Sequence, residues 1–119
     1  MDKKELGAWG EAQAAEHLKR QGYKIEELNF NCRFGEVDII LSDTEFIVFA
    51  EVKLRKNERF ATAREFVTAA KQERVRTSAS LWLSQNETEK QPRFDVVEIY
   101  APDGVYSEKI VINHIENAF

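Results

Sequence analysis

The chain has very little thiol or imidazole: one cysteine, Cys32, and two histidines, His17 and His114, among 119 residues. A lone cysteine excludes an intrachain disulfide, and the scatter of the three residues leaves no thiolate–imidazole cluster for zinc. Any metal must therefore be held by oxygen. Long apolar runs are missing as well; the longest, Phe46 to Ala50, is far too short to span a bilayer. The N-terminal segment Met1-Asp2-Lys3-Lys4-Glu5-Leu6 lacks the apolar core of a secretory signal, so cytoplasmic residence is the default expectation, with no membrane partner. Repeats and low-complexity tracts are absent, and the five glycines and two prolines fall mostly at turn positions. No glycine-rich phosphate loop is present.

Excess positive charge is also lacking. The formal net charge is −4 and the pI is near 5.3, which taken alone argues against a nucleic-acid partner. Distribution modifies that reading. Between Lys53 and Arg76 stand eight basic residues against three acidic ones, a local charge of +5 that leaves −9 elsewhere. A basic rim beside an acidic pocket and a solvated charged surface both fit this asymmetry.

What remains is a balance of 43% hydrophobic and 32% charged residues, as in a globular protein, at a length that supports one core. Residues 1–119 are expected to form a single domain. Asp2 followed by Glu5 resembles a capping box, and Gly22 is placed to stop a helix over residues 3 to 21. On that helix Gly7, Glu11, Ala14 and Leu18 share one stripe, whose apolar members turn it inward and carry the Glu11 carboxylate with them. Tyr23 to Phe30 reads as a first strand and Asn29 to Phe34 as a turn. Glu36 to Leu41 alternates as a second strand, with Val37, Ile39 and Leu41 on one face and Glu36, Asp38 and Ile40 on the other. Phe46 to Lys53 is the strongest strand signal. A four-residue loop over Ser42 to Glu45 closes the two into a hairpin and sets Leu41 opposite Phe46 and Glu36 opposite Glu51. Phe60 to Val67 is expected to be a connection, and Thr68 to cap a helix running to about Ser84. Phe94 to Tyr100 and Val105 to Ile112 are further strands. The order αβββαββ indicates an α/β domain with a mixed sheet.

Chemistry concentrates in the hairpin. Asp38, Glu51 and Lys53 project from one face, and Asp38 interrupts an otherwise apolar run. Phosphodiester hydrolysis needs an activated water, neutralisation of phosphate charge and protonation of a leaving oxygen. Two carboxylates and a hard cation such as Mg²⁺ can supply these, because Mg²⁺ takes one or two carboxylates and keeps water and phosphate at its other positions. Lys53 would orient water, stabilise phosphate or act as base, the last requiring a strongly lowered pKa. The plain alternative is a same-face ion pair on the polar side of a hairpin. For Lys71 and Gln72 the choice lies between phosphate contact and snorkelling from the start of a helix. Glu36 is either a further ligand or the strand's exposed beginning, and the second reading is the simpler.

Taken in order, Gly10-Glu11 with Ala14 and Leu18, Asn29, Gly35-Glu36-Val37-Asp38-Ile39-Ile40, Phe49-Ala50-Glu51-Val52-Lys53 with Arg55, Lys71-Gln72, Arg93-Phe94-Asp95-Val96-Val97 and Ile115-Glu116-Asn117-Ala118-Phe119 resemble the YraN-like family of small bacterial proteins. That family is grouped with the PD-(D/E)XK nuclease superfamily, near the Holliday junction resolvases. The resemblance implies a restriction-endonuclease-like core and a Mg²⁺- or Mn²⁺-dependent endonuclease acting on DNA, on branched or structured DNA in particular. It also implies Asp38 and Glu51 as metal ligands, Glu11 as a further acid at the metal, Lys53 as the catalytic lysine, and Arg55, Lys71 and Gln72 on the nucleic acid. A resolvase-like role would bring a two-fold homodimer. Phe34, Leu54 and Ala61 depart from the pattern at flanking positions. Because the superfamily also holds members that bind without cutting, a non-catalytic nucleic-acid- or protein-binding module is the alternative.

Overall fold

The computed structural model describes residues 1–56 and 67–119. Chain order is α1 (Lys3–Arg20), β1 (Lys24–Cys32), β2 (Gly35–Ser42), β3 (Phe46–Arg55), α2 (Ala69–Gln85), β4 (Gln91–Tyr100), a 3₁₀ turn (Gly104–Tyr106) and β5 (Val111–Ile115). Among the described residues the strands form one mixed sheet in the order β1-β2-β3-β4-β5, with β3 and β4 parallel and the other neighbours antiparallel. The expected α/β class and element order are therefore those of the structure. No helix among the described residues is long and apolar enough to cross a membrane.

Both helix starts follow from their caps. Asp2 Oδ1 accepts from the Glu5 amide at 2.8 Å, and Thr68 Oγ1 accepts from Lys71 N at 3.2 Å, each satisfying a donor that the helix leaves unpaired. α1 ends in a Schellman motif. Gly22 takes φ +95°, its amide bonds Lys19 O, and the Tyr23 amide reaches Leu18 O.

The two helices cover opposite faces of the sheet. Ala14, Ala15 and Leu18 of α1 pack on Ile39, Leu41, Val48, Ala50, Val97 and Ile99. Val75, Ala79 and Trp82 of α2 pack on Val37, Ile40, Ile47 and Phe49. Burying a side chain such as Leu18 or Phe49 contributes about 1.5–3 kcal/mol, so these two layers hold the sheet between them. The buried stripe of α1 runs through Gly10, Ala14 and Leu18, which leaves Gly7 exposed and Glu11 half-buried at its margin. The stripe expected through Gly7 is thus rotated by part of a turn. Gly10 faces Leu54 of β3, where an added Cβ would make an ordinary van der Waals contact at 3.8 Å.

The hairpin register differs from the expected one by two residues. Leu41 stands opposite Val48 and Ile40 opposite Phe49. The reason is the turn: Asp43 Oδ1 accepts from the amides of Glu45 and Phe46, and the Asp43 amide bonds Phe46 O, so Ser42 stays in the strand and the loop is shorter. A shift of two keeps every side chain on its face.

Other boundaries differ for local reasons. β1 continues to Cys32 because Asn31 and Cys32 pair with Glu36 and Gly35, confining the turn to Arg33 and Phe34. β4 begins at Gln91, where the parallel ladder to Phe46 starts. Val105 and Tyr106 belong to the 3₁₀ turn, and β5 starts only at Val111, where it pairs with Tyr100. Of the expected connection at 60–67, residues 60–66 lie outside the described residues, while Val67 is buried.

Candidate active site

The site forms where β2 breaks its alternation. Ile39 and Leu41 face α1, yet Val37, two residues before Ile39, packs on the α2 side. Between the pairs Leu28–Ile39 and Phe30–Val37 the ladder passes through Asp38 and Asn29, and Asn29 has φ +52°. That left-handed backbone, which asparagine tolerates better than most residues, rotates the pleat at this point. The β2–β3 ladder ends at Ile39–Ala50. Beyond it the Val52 amide donates to Asp38 Oδ2 at 2.8 Å, so a carboxylate fills the place of a strand carbonyl.

Asp38 thus sits in the gap between the two strands, open to both faces of the sheet. From the α2 face comes Glu51, which shares parity with Ile47 and Phe49 and is 1% exposed. From the α1 face comes Glu11. Both interact with Asp38 by charge. Burial first, and then the Asp38 charge, push the Glu51 carboxyl up to about 8, against the pull of Lys71 and Lys53. Glu11 rises to about 7 for the same two leading causes, with Glu36 adding to the rise and a hydrogen bond from Asn29 opposing it.

Glu51 Oε2 lies 3.5 Å from Lys71 Nζ, whereas Glu51 Oε1 is buried with no hydrogen-bond donor among the described residues. Its carboxylate neighbour has nothing to donate when ionised, so a shared proton or a cation is what satisfies this atom. Among the described residues no three acidic, imidazole or thiol side chains form a ready-made metal cage. Two carboxylates are nevertheless what Mg²⁺ or Mn²⁺ takes from a protein when water and phosphate fill the remaining positions. The donor set is all oxygen, and the orphaned Oε1 gives a cation a place to bind; the residues present fit such an ion.

The other expected residues are distributed around this core. Lys53 is half-buried on the same side of β3 as Glu51, close enough to lower its pKa. Lys71 is at the site through its ion pair. Gln72 is turned to the chain before α2, its Nε2 donating to Val67 O at 2.9 Å. Arg55 lies beside Glu98, with Nη1 3.9 Å from Oε2. Glu36 is exposed, and still contributes negative charge to Glu11. Asn29, part of the sequence pattern but given no role there, turns out to hold Glu11 and to rotate the strand; an asparagine inside a strand-like run was the available signal.

The chain matches the family described as Uncharacterised protein family UPF0102 over residues 10–99. It belongs to UPF0102. The match contains Glu11, Asn29, Asp38, Glu51, Lys53 and Lys71, and so the whole cluster. A UPF0102 protein of Syntrophomonas wolfei is 44% identical over 122 residues, covering 98% of each chain. Another, from Caldanaerobacter subterraneus subsp. tengcongensis, is 42% identical over 121 residues, covering 100% of this chain and 98% of its own. A third, from Symbiobacterium thermophilum, is 45% identical over 116 residues, covering 96% and 95%. Membership in UPF0102, the YraN-like family that the sequence motifs resemble, is thereby established, and the likeness to these relatives runs nearly end to end.

Proposed function

We propose that this UPF0102 protein is a Mg²⁺- or Mn²⁺-dependent nuclease that hydrolyses DNA phosphodiester bonds at the Asp38–Glu51 pair. The observation that carries the reading is Glu51 Oε1, buried without a donor among the described residues and against a second carboxylate, with two lysines alongside. A structural ion pair would satisfy its carboxylate; this one leaves half of Glu51 unsatisfied.

A divalent cation bound there would offset phosphate charge and lower the pKa of a coordinated water. Asp38, fixed by the Val52 amide, and Glu51, fixed by burial, are the residues that would hold that ion. Lys53 stands next to Glu51 to stabilise the charge that grows on the phosphate. Lys71, 3.5 Å from Glu51 Oε2, would stand beside such an ion, placed to contact phosphate. Glu11 adds negative charge from the opposite face and completes the acid cluster.

The test is cleavage of labelled duplex, single strand and four-way junction in Mg²⁺ and in Mn²⁺. Wild type cuts at least one of them, and Lys53→Ala loses most of that activity, a charge-stabilising group being worth about 10²–10³-fold. Full activity in Lys53→Ala would count heavily against the assignment.

A further inference from the structure

The carboxyl ends of the parallel strands β3 and β4 meet the start of α2, where Val67 packs on Val96 and Lys71 reaches Glu51. Open α/β sheets place their ligands outside such strand ends. The ladder here sets Lys53 opposite Glu98 and Arg55 opposite Tyr100, and β5 sets Asn113 on the other side of Glu98. Lys53 and Arg55 therefore leave β3 on the same side as Glu51, about 6.6–6.8 Å apart along the strand. Glu98 faces the first directly and the second on the diagonal.

Glu98 is 2% exposed, and the Asp38–Glu51 pair makes no use of it. Both of its oxygens are held by neutral donors: the Tyr100 hydroxyl donates to Oε2 at 2.8 Å and Asn113 Nδ2 to Oε1 at 3.3 Å. Neutral donors orient a carboxylate without cancelling its charge, and that charge is aimed at Arg55, whose Nη1 lies 3.9 Å from Oε2. The Arg55 side chain is 12% exposed, packed along most of its length and still reachable from solvent. A long side chain held in this way has already lost much of the rotamer entropy that gripping a phosphate would otherwise cost. Stability alone gives little reason for the arrangement. A buried ion pair is often no better than well-packed apolar residues of similar volume, and Val96, the preceding residue on this face, is fully buried.

We propose that Glu98 is a positioning residue: held by Tyr100 and Asn113, it fixes the Arg55 guanidinium for contact with a DNA phosphate flanking the one at the Asp38–Glu51 pair. The inference rests on the nuclease reading for which phosphate reacts, while the grip of Arg55 on phosphate is measurable without cleavage. Two roles for a carboxylate near DNA have opposite signs. A bystander repels phosphate, so neutralising it tightens binding. A residue that holds a phosphate-binding arginine loosens binding when neutralised, and does so only while the arginine is present.

The experiment is fluorescence anisotropy of the full chain in Ca²⁺, a hard oxygen-binding cation, with labelled duplex and single-stranded DNA over a salt series. Wild type is compared with Glu98→Gln, Arg55→Ala and the double variant. Arg55→Ala weakens binding about tenfold and lowers the slope of log K against log salt by about 0.9 on duplex or 0.7 on the strand, one phosphate contact. Glu98→Gln keeps the size of the side chain and an acceptor for Tyr100, yet weakens binding about threefold or more; in the Arg55→Ala background it has no such effect. Should Glu98→Gln melt far below wild type, Tyr100→Phe, which removes only a hydroxyl, tests the same hold and weakens binding in the same direction. Tighter or unchanged binding in whichever of these two variants folds, an equal loss with and without Arg55, or no DNA binding by wild type overturns the inference. In Mg²⁺ the lost flanking contact raises KM and keeps kcat. Cleavage by wild type with KM unaltered in Glu98→Gln removes the role of Glu98 and keeps the nuclease. Loss of binding that depends on Arg55, without cleavage in any metal, keeps the role of Glu98 and removes the nuclease.

Discussion

The Val52 amide donates to Asp38 Oδ2 at 2.8 Å, a side chain standing in for the strand partner that β2 no longer provides. The bond ties the shape of the sheet to the position of the acid, because the same carboxylate that satisfies the backbone is the one that Glu11 and Glu51 approach. Asp38→Ala leaves the Val52 amide unpaired in a half-buried place, whereas Asp38→Asn keeps an acceptor. Both variants remove the same negative charge, so their difference reports the bond. Urea denaturation should find Asp38→Asn more stable than Asp38→Ala by about 1–3 kcal/mol; equal stabilities would show that the amide bond contributes nothing.

The acid cluster makes stability fall as pH rises. The Glu51 and Glu11 carboxyls titrate near 8 and 7 in the folded chain and near 4.5 when unfolded, so between about pH 4.5 and 8 the native state binds more protons than the unfolded one. Stability contributed by their protonated forms is complete below pH 4.5 and is lost as pH climbs through 7 and 8. His17, whose pKa is lowered by burial, acts in the opposite direction below about pH 6.5, so the comparison should be made with a variant. In chelator, the melting temperature of Glu51→Gln should drop less than that of wild type from pH 5 to pH 8. Parallel pH profiles would mean that Glu51 titrates normally.

A second buried network holds the C-terminal strand. Arg93 donates from Nε and Nη2 to both Asp95 oxygens at 2.9 and 2.8 Å, His114 Nε2 lies 2.6 Å from Asp95 Oδ2, and the Asn117 amide donates to Asp95 Oδ1 at 2.9 Å. Arg93 also reaches the Tyr23 hydroxyl at 2.8 Å. Asp95 is fully buried and Arg93 nearly so. Asp95→Ala strands the guanidinium, which should cost about 3–5 kcal/mol and speed hydrogen exchange in β5 first. A loss under 1 kcal/mol would show that the pair is offset elsewhere.

Caps at Asp2 and Thr68, the stop at Gly22 and the parity of Glu51 with Lys53 are all legible in the sequence, because each is a local rule carried by a few adjacent residues. The features that sequence does not reveal share one cause, a bond or a backbone angle that hydrophobic patterning leaves unmarked. The register depends on whether Asp43 bonds its own turn or lies idle in a loop. The break in β2 is hidden more thoroughly. Strict alternation puts Val37 with Ile39, and only the left-handed Asn29 on the neighbouring strand separates them. The same residue holds Glu11, so the feature that sequence periodicity misses is the one that gathers the acids. Val105 and Tyr106 look like strand by composition, but the ladder to β4 starts only at Val111.

Binding of a divalent cation by Asp38 and Glu51 is tested most directly by titrating Mn²⁺ by calorimetry in two buffers of different ionisation enthalpy near pH 7. Wild type should take up the ion and release protons, since an incoming cation displaces those held by Glu51 and Glu11, while Asp38→Asn should bind far more weakly. No uptake by wild type, or equal uptake and proton release by Asp38→Asn, would contradict the assignment of this pair as a metal site.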